Sequence, residues 1–237
     1  MSAVCVTGLV VRDTATYWSI FGQAVILLLI QVGGLGFASV TAFIVIFSGR
    51  RVTLRQRSLL QESLSTHQIG GVVKMTSFII KSTFAAETLG AAIMMPTFCR
   101  EYGAAGIWMS VFHAVSAFCN AGFDIMGDRT GEFSSLTHYS GSISISLSIC
   151  LLIIFGGIGF LTWSDIAENK RNFRKYRMQS KVIVVSTVVL ILFPAVILFF
   201  VDFAGVPIKE RICLSLFQAV TPRTAGFNTA DLNSMKS

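Results

Sequence analysis

The chain has 237 residues, 53% of them hydrophobic and only 13% charged, with a mean hydropathy of +0.71. An ordinary soluble domain carries about a quarter charged residues, so this composition excludes disorder, collagen and coiled coil and argues against a soluble enzyme. The formal charge of +7 does not describe a nucleic-acid surface, because 11 of the 19 Lys and Arg fall in two stretches: Arg50, Arg51, Arg55, Arg57 and Lys74, then Lys170, Arg171, Arg174, Lys175, Arg177 and Lys181. Each stretch lies between long apolar runs, as cytoplasmic loops of a membrane protein do.

Taken in chain order, Val6-Thr7-Gly8-Leu9 forms a glycine turn close to the start. A hydrocarbon core of about 30 Å needs about 20 apolar residues in a helix. Four segments meet that length: Tyr17 to Phe47, Val72 to Met95 with a stop at Pro96, Ile143 to Trp163, and Val182 to Phe203. The first exceeds the bilayer thickness and is expected to tilt or project. Between spans two and three, Gly106 to Ala117 is apolar but too short to cross, and leads into Phe118-Cys119-Asn120-Ala121-Gly122-Phe123-Asp124. After span four, Ile208 to Val220 does the same and ends in Thr221-Pro222-Arg223-Thr224-Ala225-Gly226-Phe227-Asn228. Short apolar helices of this kind read as re-entrant segments. With both basic loops inside, the remaining connections fall outside.

These segments repeat. Phe112-His113-Ala114-Val115 and Ala121-Gly122-Phe123 match Phe217-Gln218-Ala219-Val220 and Ala225-Gly226-Phe227 with one residue of gap. Gly33-Gly34-Leu35-Gly36-Phe37 in span one matches Gly156-Gly157-Ile158-Gly159-Phe160 in span three. The unit is helix, short re-entrant helix, glycine turn, helix. A non-helical turn at membrane depth must be buried in protein or line water. One that follows a re-entrant helix aims carbonyl oxygens at a common axis, where they can replace the hydration shell of a monovalent cation. Glycine supplies the backbone angles that such a turn requires.

On Val6 to Val11, Phe112 to Asp124 and Phe217 to Thr229, and on the two glycine triplets, the sequence resembles the Ktr/Trk/HKT superfamily of potassium transporters, most closely the membrane subunit of bacterial Ktr systems. The resemblance implies an all-α integral membrane fold of fused helix–pore loop–helix repeats around a potassium-channel-like pore, in the bacterial inner membrane. It implies potassium uptake through three filter turns: Val6, Thr7, Gly8 and Leu9; Asn120, Ala121, Gly122 and Phe123; Thr224, Ala225, Gly226 and Phe227. No catalytic residue and no cofactor is implied beyond K⁺ as the transported ion, with Na⁺ or H⁺ coupling left open. The expected partners are a second copy in a homodimer, a cytosolic ring of Rossmann-type nucleotide-binding regulatory subunits and the lipid bilayer, with no nucleic acid. The family pattern has four units, so the chain is expected to be a fragment: residues 1–48 end unit one, 49–71 form a cytoplasmic loop, 72–166 form unit two, 167–181 a basic loop, and 182–237 begin unit three.

Several side chains carry a second reading. The glycine triplets are read as close helix-packing positions rather than as a gate. Asp13, Asp124 and Asp128 either gather cations at the mouth or cap helices. Glu87 and Lys81 within span two need partners at membrane depth, with pore-helix amides expected for Glu87. Arg223 is expected to point behind its turn, and His113 to bond its neighbours. Ser144, Ser146 and Ser148 read as packing or backbone bonding. The five cysteines have no paired spacing. The rival class is an integral-membrane enzyme with re-entrant active-site loops, for which Cys119 with His113 is the nearby pair.

Overall fold

The computed structural model describes residues 1–36, 40, 72–170, 172–203 and 205–230, all of them helix, turn or irregular backbone without a strand. The first basic loop, Phe37 and the far end of span one lie outside the described residues. The helices are α1 (Ser2–Cys5), α2 (Thr14–Tyr17), α3 (Ile20–Leu35), α4 (Val72–Tyr102), α5 (Ala105–Phe118), α6 (Gly127–Thr130), α7 (Ile143–Ile158), α8 (Phe160–Asn169), α9 (Met178–Phe200) and α10 (Ile208–Val220). Among the described residues two helices, α4 and α9, are long and apolar enough to cross a membrane, and the pair α7–α8, bent by 95°, is long and apolar enough only if the two are taken together as one span. The chain is an all-α membrane protein.

Three of the expected spans need correction. The second does not stop at Pro96 but continues to Tyr102. Proline removes one N–H from a helix, a loss that a membrane helix tolerates when neighbours hold it. Met94 and Phe98, on either side of Pro96, are fully buried and keep this helix docked. The third is not one helix to Trp163: it breaks at Gly159 and turns by 95° into α8. Gly159 has φ 86° and ψ 147°, a region essentially closed to residues with a Cβ. In span one α3 likewise ends at a glycine, Gly36, with φ 78° and ψ 139°. The third glycine of each triplet therefore ends a helix, a role that their apolar composition hid.

The two short helices fall close to their expected bounds, and both pack in the same way. Helix α5 lies against α3, the trailing helix of the unit before it, and α10 lies against α7. Each also packs on the leading helix of its own unit, α5 on α4 and α10 on α9. One continuous core of buried residues, including Phe98, Phe112, Met126, Ile149, Phe217 and Phe227, joins units two and three. Serines tie the frame: Ser144 Oγ donates to Ile93 O (3.2 Å), Ser146 Oγ to Tyr139 O (3.3 Å) and Ser148 Oγ to Ser144 O (2.6 Å). At the far end Asp165 accepts from Arg177 N (2.7 Å) and Asn169 Nδ2 (2.8 Å), fixing the second basic loop against α8.

Candidate functional site

Each short helix ends in its glycine turn, and the three turns share one backbone conformation at the glycine. Gly8, Gly122 and Gly226 have φ of 73°, 70° and 75°, the left-handed region that favours glycine. Turns one and two also place their first residue there, Val6 at 53° and Asn120 at 58°. The third turn is one residue shorter and enters through a tight turn at Thr221–Arg223, leaving Thr224 at φ −157°.

The turns lie against one another in chain order. A Cβ added to Gly8 would stand 2.6 Å from the carbonyl oxygen of Ala121, and one added to Gly122 would stand 2.0 Å from that of Ala225. Any side chain at either position would strike a neighbouring backbone, so glycine is needed here for approach as well as for angle. The Cβ position of Gly226 meets nothing within 4 Å.

A hydroxyl in or directly after each short helix bonds the turn that follows. Ala121 N donates to Ser116 O (2.8 Å), Ala225 N to Thr221 O (3.1 Å) and Thr7 N to Ser2 O (3.1 Å). Ser116 Oγ then donates to Phe123 O (2.7 Å), and Thr221 Oγ1 to Phe227 O (2.6 Å). In the first turn Ser2 Oγ instead pairs with Thr7 Oγ1 (2.9 Å). These hydroxyls escaped the sequence reading, although Ser2-Ala3 and Ser116-Ala117 stand at the same distance before their glycines. The carbonyls of Phe123 and Phe227 are thereby engaged, whereas among the described residues those of Thr7, Gly8, Ala121, Gly122, Ala225 and Gly226 accept no hydrogen bond. Phe123 and Phe227 are buried, but Leu9 at the matching position is 79% exposed.

The glycine triplets bring the trailing helices up to the turns. A Cβ on Gly33 would lie 2.1 Å from Val4 O, and one on Gly156 would lie 1.8 Å from Phe118 O. Val4 and Phe118 each stand two residues before the first residue of their turn, so the contact repeats in register. Gly34 presses on Cys119, with Sγ 2.4 Å from its Cβ position. The first glycine of each triplet is thus a packing position, as expected, while the third is a break.

A family profile described as cation transport protein (TrkH) matches residues 1–237, the whole chain. The chain belongs to the TrkH family. It is 38% identical over 242 residues to the Ktr system potassium uptake protein B of Bacillus subtilis (strain 168), covering 99% of this chain and 53% of the relative. It is 36% identical over 240 residues to the potassium/sodium uptake protein NtpJ of Enterococcus hirae, covering 99% and 52%. The Ktr system potassium uptake protein B of Vibrio alginolyticus is 28% identical over 239 residues, covering 98% and 51%. The chain spans about half the length of the curated relatives it matches.

The TrkH family is described as cation transport proteins rather than enzymes, which removes the rival reading built on Cys119 and His113. The geometry agrees. Cys119 is packed under Gly34, and His113 Nδ1 bonds Met109 O (2.7 Å) while its ring stacks on Phe98. Arg223 reaches back to α9, donating from Nη2 to Thr187 Oγ1 (3.3 Å). Glu87 does not bond the short-helix amides: Gln31 Nε2 on α3 donates to both its oxygens, at 3.0 and 3.3 Å.

The aspartates beside the turns differ in role. Asp13 Oδ1 caps α2 by accepting from Ala15 N (2.9 Å) and Thr16 N (3.0 Å), and Oδ2 accepts from Phe133 N (3.0 Å) in unit two. It is a structural clasp, and Gly127 is glycine because a Cβ there would lie 2.1 Å from Asp13 Oδ1. Asp128 is exposed and pairs with Arg129 (3.0 Å). Asp124 directly follows turn two. Burial pushes its carboxyl up to about 6; the Met126 amide opposes this and the Asp13 charge adds to it.

Proposed function

We propose that the protein takes up K⁺ across the bacterial plasma membrane as the translocating subunit of a Ktr/Trk-type system. The observation that carries the reading is the contact of one turn with the next, Gly8 on the Ala121 carbonyl and Gly122 on the Ala225 carbonyl. Left-handed glycines stand at the same place in each turn, beside carbonyls that accept no hydrogen bond among the described residues, and carbonyl oxygens are what a dehydrated K⁺ needs. The names of the relatives, potassium uptake and potassium/sodium uptake proteins, support the same ion class.

In this reading Val6-Thr7-Gly8, Asn120-Ala121-Gly122 and Thr224-Ala225-Gly226 line three parts of one filter, and a further turn from the rest of the protein completes it. The fourth residues of turns two and three, Phe123 and Phe227, anchor their turns rather than coordinate. Entry is driven by the membrane potential, worth about 2.3 kcal/mol per charge per 100 mV. The whole protein works as a homodimer on a cytosolic ring of Rossmann-type, nucleotide-binding regulatory subunits, and Na⁺ or H⁺ is the candidate coupling ion. Asp124 adds negative charge at the mouth when ionised.

The test is K⁺ uptake by the whole protein in cells that lack other K⁺ uptake systems, comparing the wild type with Gly122→Ser. The expected result is a large loss of K⁺ affinity or of discrimination against Na⁺, with rates normalised to the membrane level because the new side chain meets the Ala225 carbonyl. Unchanged K⁺ and Na⁺ kinetics in that variant would overturn the filter assignment.

A further inference from the structure

Asn120 opens the second turn, yet its side chain serves more than the turn. The carboxamide is oriented by its neighbours. Nδ2 donates to Thr224 Oγ1 (2.8 Å) and to Ile153 O (3.2 Å), and Oδ1 accepts from Gly157 N (3.3 Å). With the amide reversed, the Thr224 hydroxyl still bonds it at 2.8 Å and Nδ2 stands 3.4 Å from Phe118 O, but both links to α7 are lost. Ile153 and Gly157 stand four apart in α7, the spacing at which a carbonyl and an N–H close one helical turn. The Asn120 amide therefore grips α7 at Ile153 and Gly157, the latter two residues before the 95° bend at Gly159.

The neighbourhood is shaped for this grip. Gly156 lets α7 approach until its Cβ position is 1.8 Å from Phe118 O and 2.9 Å from the Asn120 carboxamide. In unit one the corresponding place is taken by Val6, whose Cγ2 is 2.8 Å from the Gly33 Cβ position. Valine has no polar atom to offer, so the link belongs to unit two.

We propose that the Asn120 carboxamide is a positioning residue that braces the second filter turn against the broken helix α7–α8 and against Thr224 of the third turn, so that K⁺ over Na⁺ discrimination depends on this side chain. The inference rests on the filter reading above. A carbonyl ring favours the larger ion only while it resists closing on the smaller one, and a brace between adjacent turns supplies that resistance. The same amide carries any change in the bend at Gly159 to two turns at once.

The experiment is a double-mutant cycle in the whole protein, with Asn120→Val, Thr224→Val and the double variant. Half-saturation and maximum rate would be measured for both K⁺ and Na⁺, with membrane levels by immunoblot. The expected result is that each single variant lowers the K⁺/Na⁺ affinity ratio about tenfold at near-normal protein levels, the factor that one partly lost charge-free bond network of roughly 1.4 kcal/mol represents. The double variant is expected to be no worse than the poorer single, since both remove the same link. Thr224→Val keeps the test open where Asn120→Val fails to accumulate, because Thr224 is exposed. An unchanged ratio with equal falls in both rates, or losses that add in the double variant, would overturn the proposal. A Gly122→Ser defect beside normal ratios in this cycle would leave the transport reading standing and remove only this inference. A wild type that moves no K⁺ would remove both.

Discussion

In unit one, α3 comes up to the turn through Gly33 and meets the Val4 carbonyl and the Val6 methyls; in unit two, α7 comes up through Gly156 and meets the Phe118 carbonyl and the Asn120 amide. The backbones are alike down to the left-handed first residue, the left-handed glycine and the helix that ends at the third glycine of the triplet. What differs is whether the contact between turn and helix is apolar or hydrogen-bonded. A repeat can therefore keep the geometry that places carbonyls while changing how strongly each turn is coupled to the helix behind it.

The comparison is broken most severely at its shared element. Gly156→Ala puts a methyl 1.8 Å from a backbone oxygen that cannot move without moving turn two, so loss of assembly or uptake is expected, read as membrane level and K⁺ uptake. Gly157→Ala, whose Cβ position is 4.0 Å from its nearest neighbour, is expected to stay near wild type and serves as the control. Gly33→Ala tests the same contact in unit one, and a smaller defect is expected because Val4 is exposed and sits in the short α1.

Next come the hydroxyl anchors. Ser116→Ala and Thr221→Val each free a buried carbonyl from its donor and are expected to lower thermal stability in detergent by about 1–3 kcal/mol. Ser2→Ala, which loses a bond between two side chains near the surface, is expected to cost less than about 0.5 kcal/mol. Equal effects at the three positions would mean that unit one is anchored as the others are, contrary to the bonding seen.

The smallest effect concerns charge. Asp124 is raised from 3.8 to about 6, so its ionised form is disfavoured in the folded protein. The sign follows: this group costs stability as pH rises from about 4 to 6, and the cost is constant above that. Its negative charge is present at pH 7.5 and mostly gone at pH 5. K⁺ half-saturation is expected to rise a few-fold between those values in the wild type and to rise less in Asp124→Asn. Unit one has no carboxylate directly after its turn, where Val10 and Val11 stand, so Val10→Asp would ask whether the first turn responds to a new charge in the same way.

The sequence carried the repeat, the two short helices and the glycine turns because each leaves a mark in residue type: an apolar run of limited length, then a glycine at a fixed offset. It did not carry the breaks at Gly36 and Gly159. Hydropathy reads a triplet of glycines in an apolar run as more span, and nothing in composition reports a positive φ. Pro96 misled in the opposite direction, since a proline suggests an end where burial of Met94 and Phe98 keeps the helix going. The Asn120 brace was illegible for a different reason. Its partners, Ile153, Gly157 and Thr224, come from two other segments, and an asparagine beside a glycine is already accounted for by the turn. The Ser116 and Thr221 anchors lay within reach, because matched hydroxyls precede both glycines, but serine and threonine are too common in membrane helices to attract notice singly.

The Asp13 clasp sets an order on biosynthesis. Its first carboxylate oxygen can cap α2 as soon as Thr16 has left the ribosome, but its second must wait for Phe133, 120 residues later. At roughly 5–20 residues per second that is on the order of 6–24 s, during which unit one is made and its clasp is half-filled. The next seam, from Asn228 O to Leu136 N, waits again for unit three. Each unit is thus sealed by its successor, and a chain halted between them would carry an aspartate still looking for its donor.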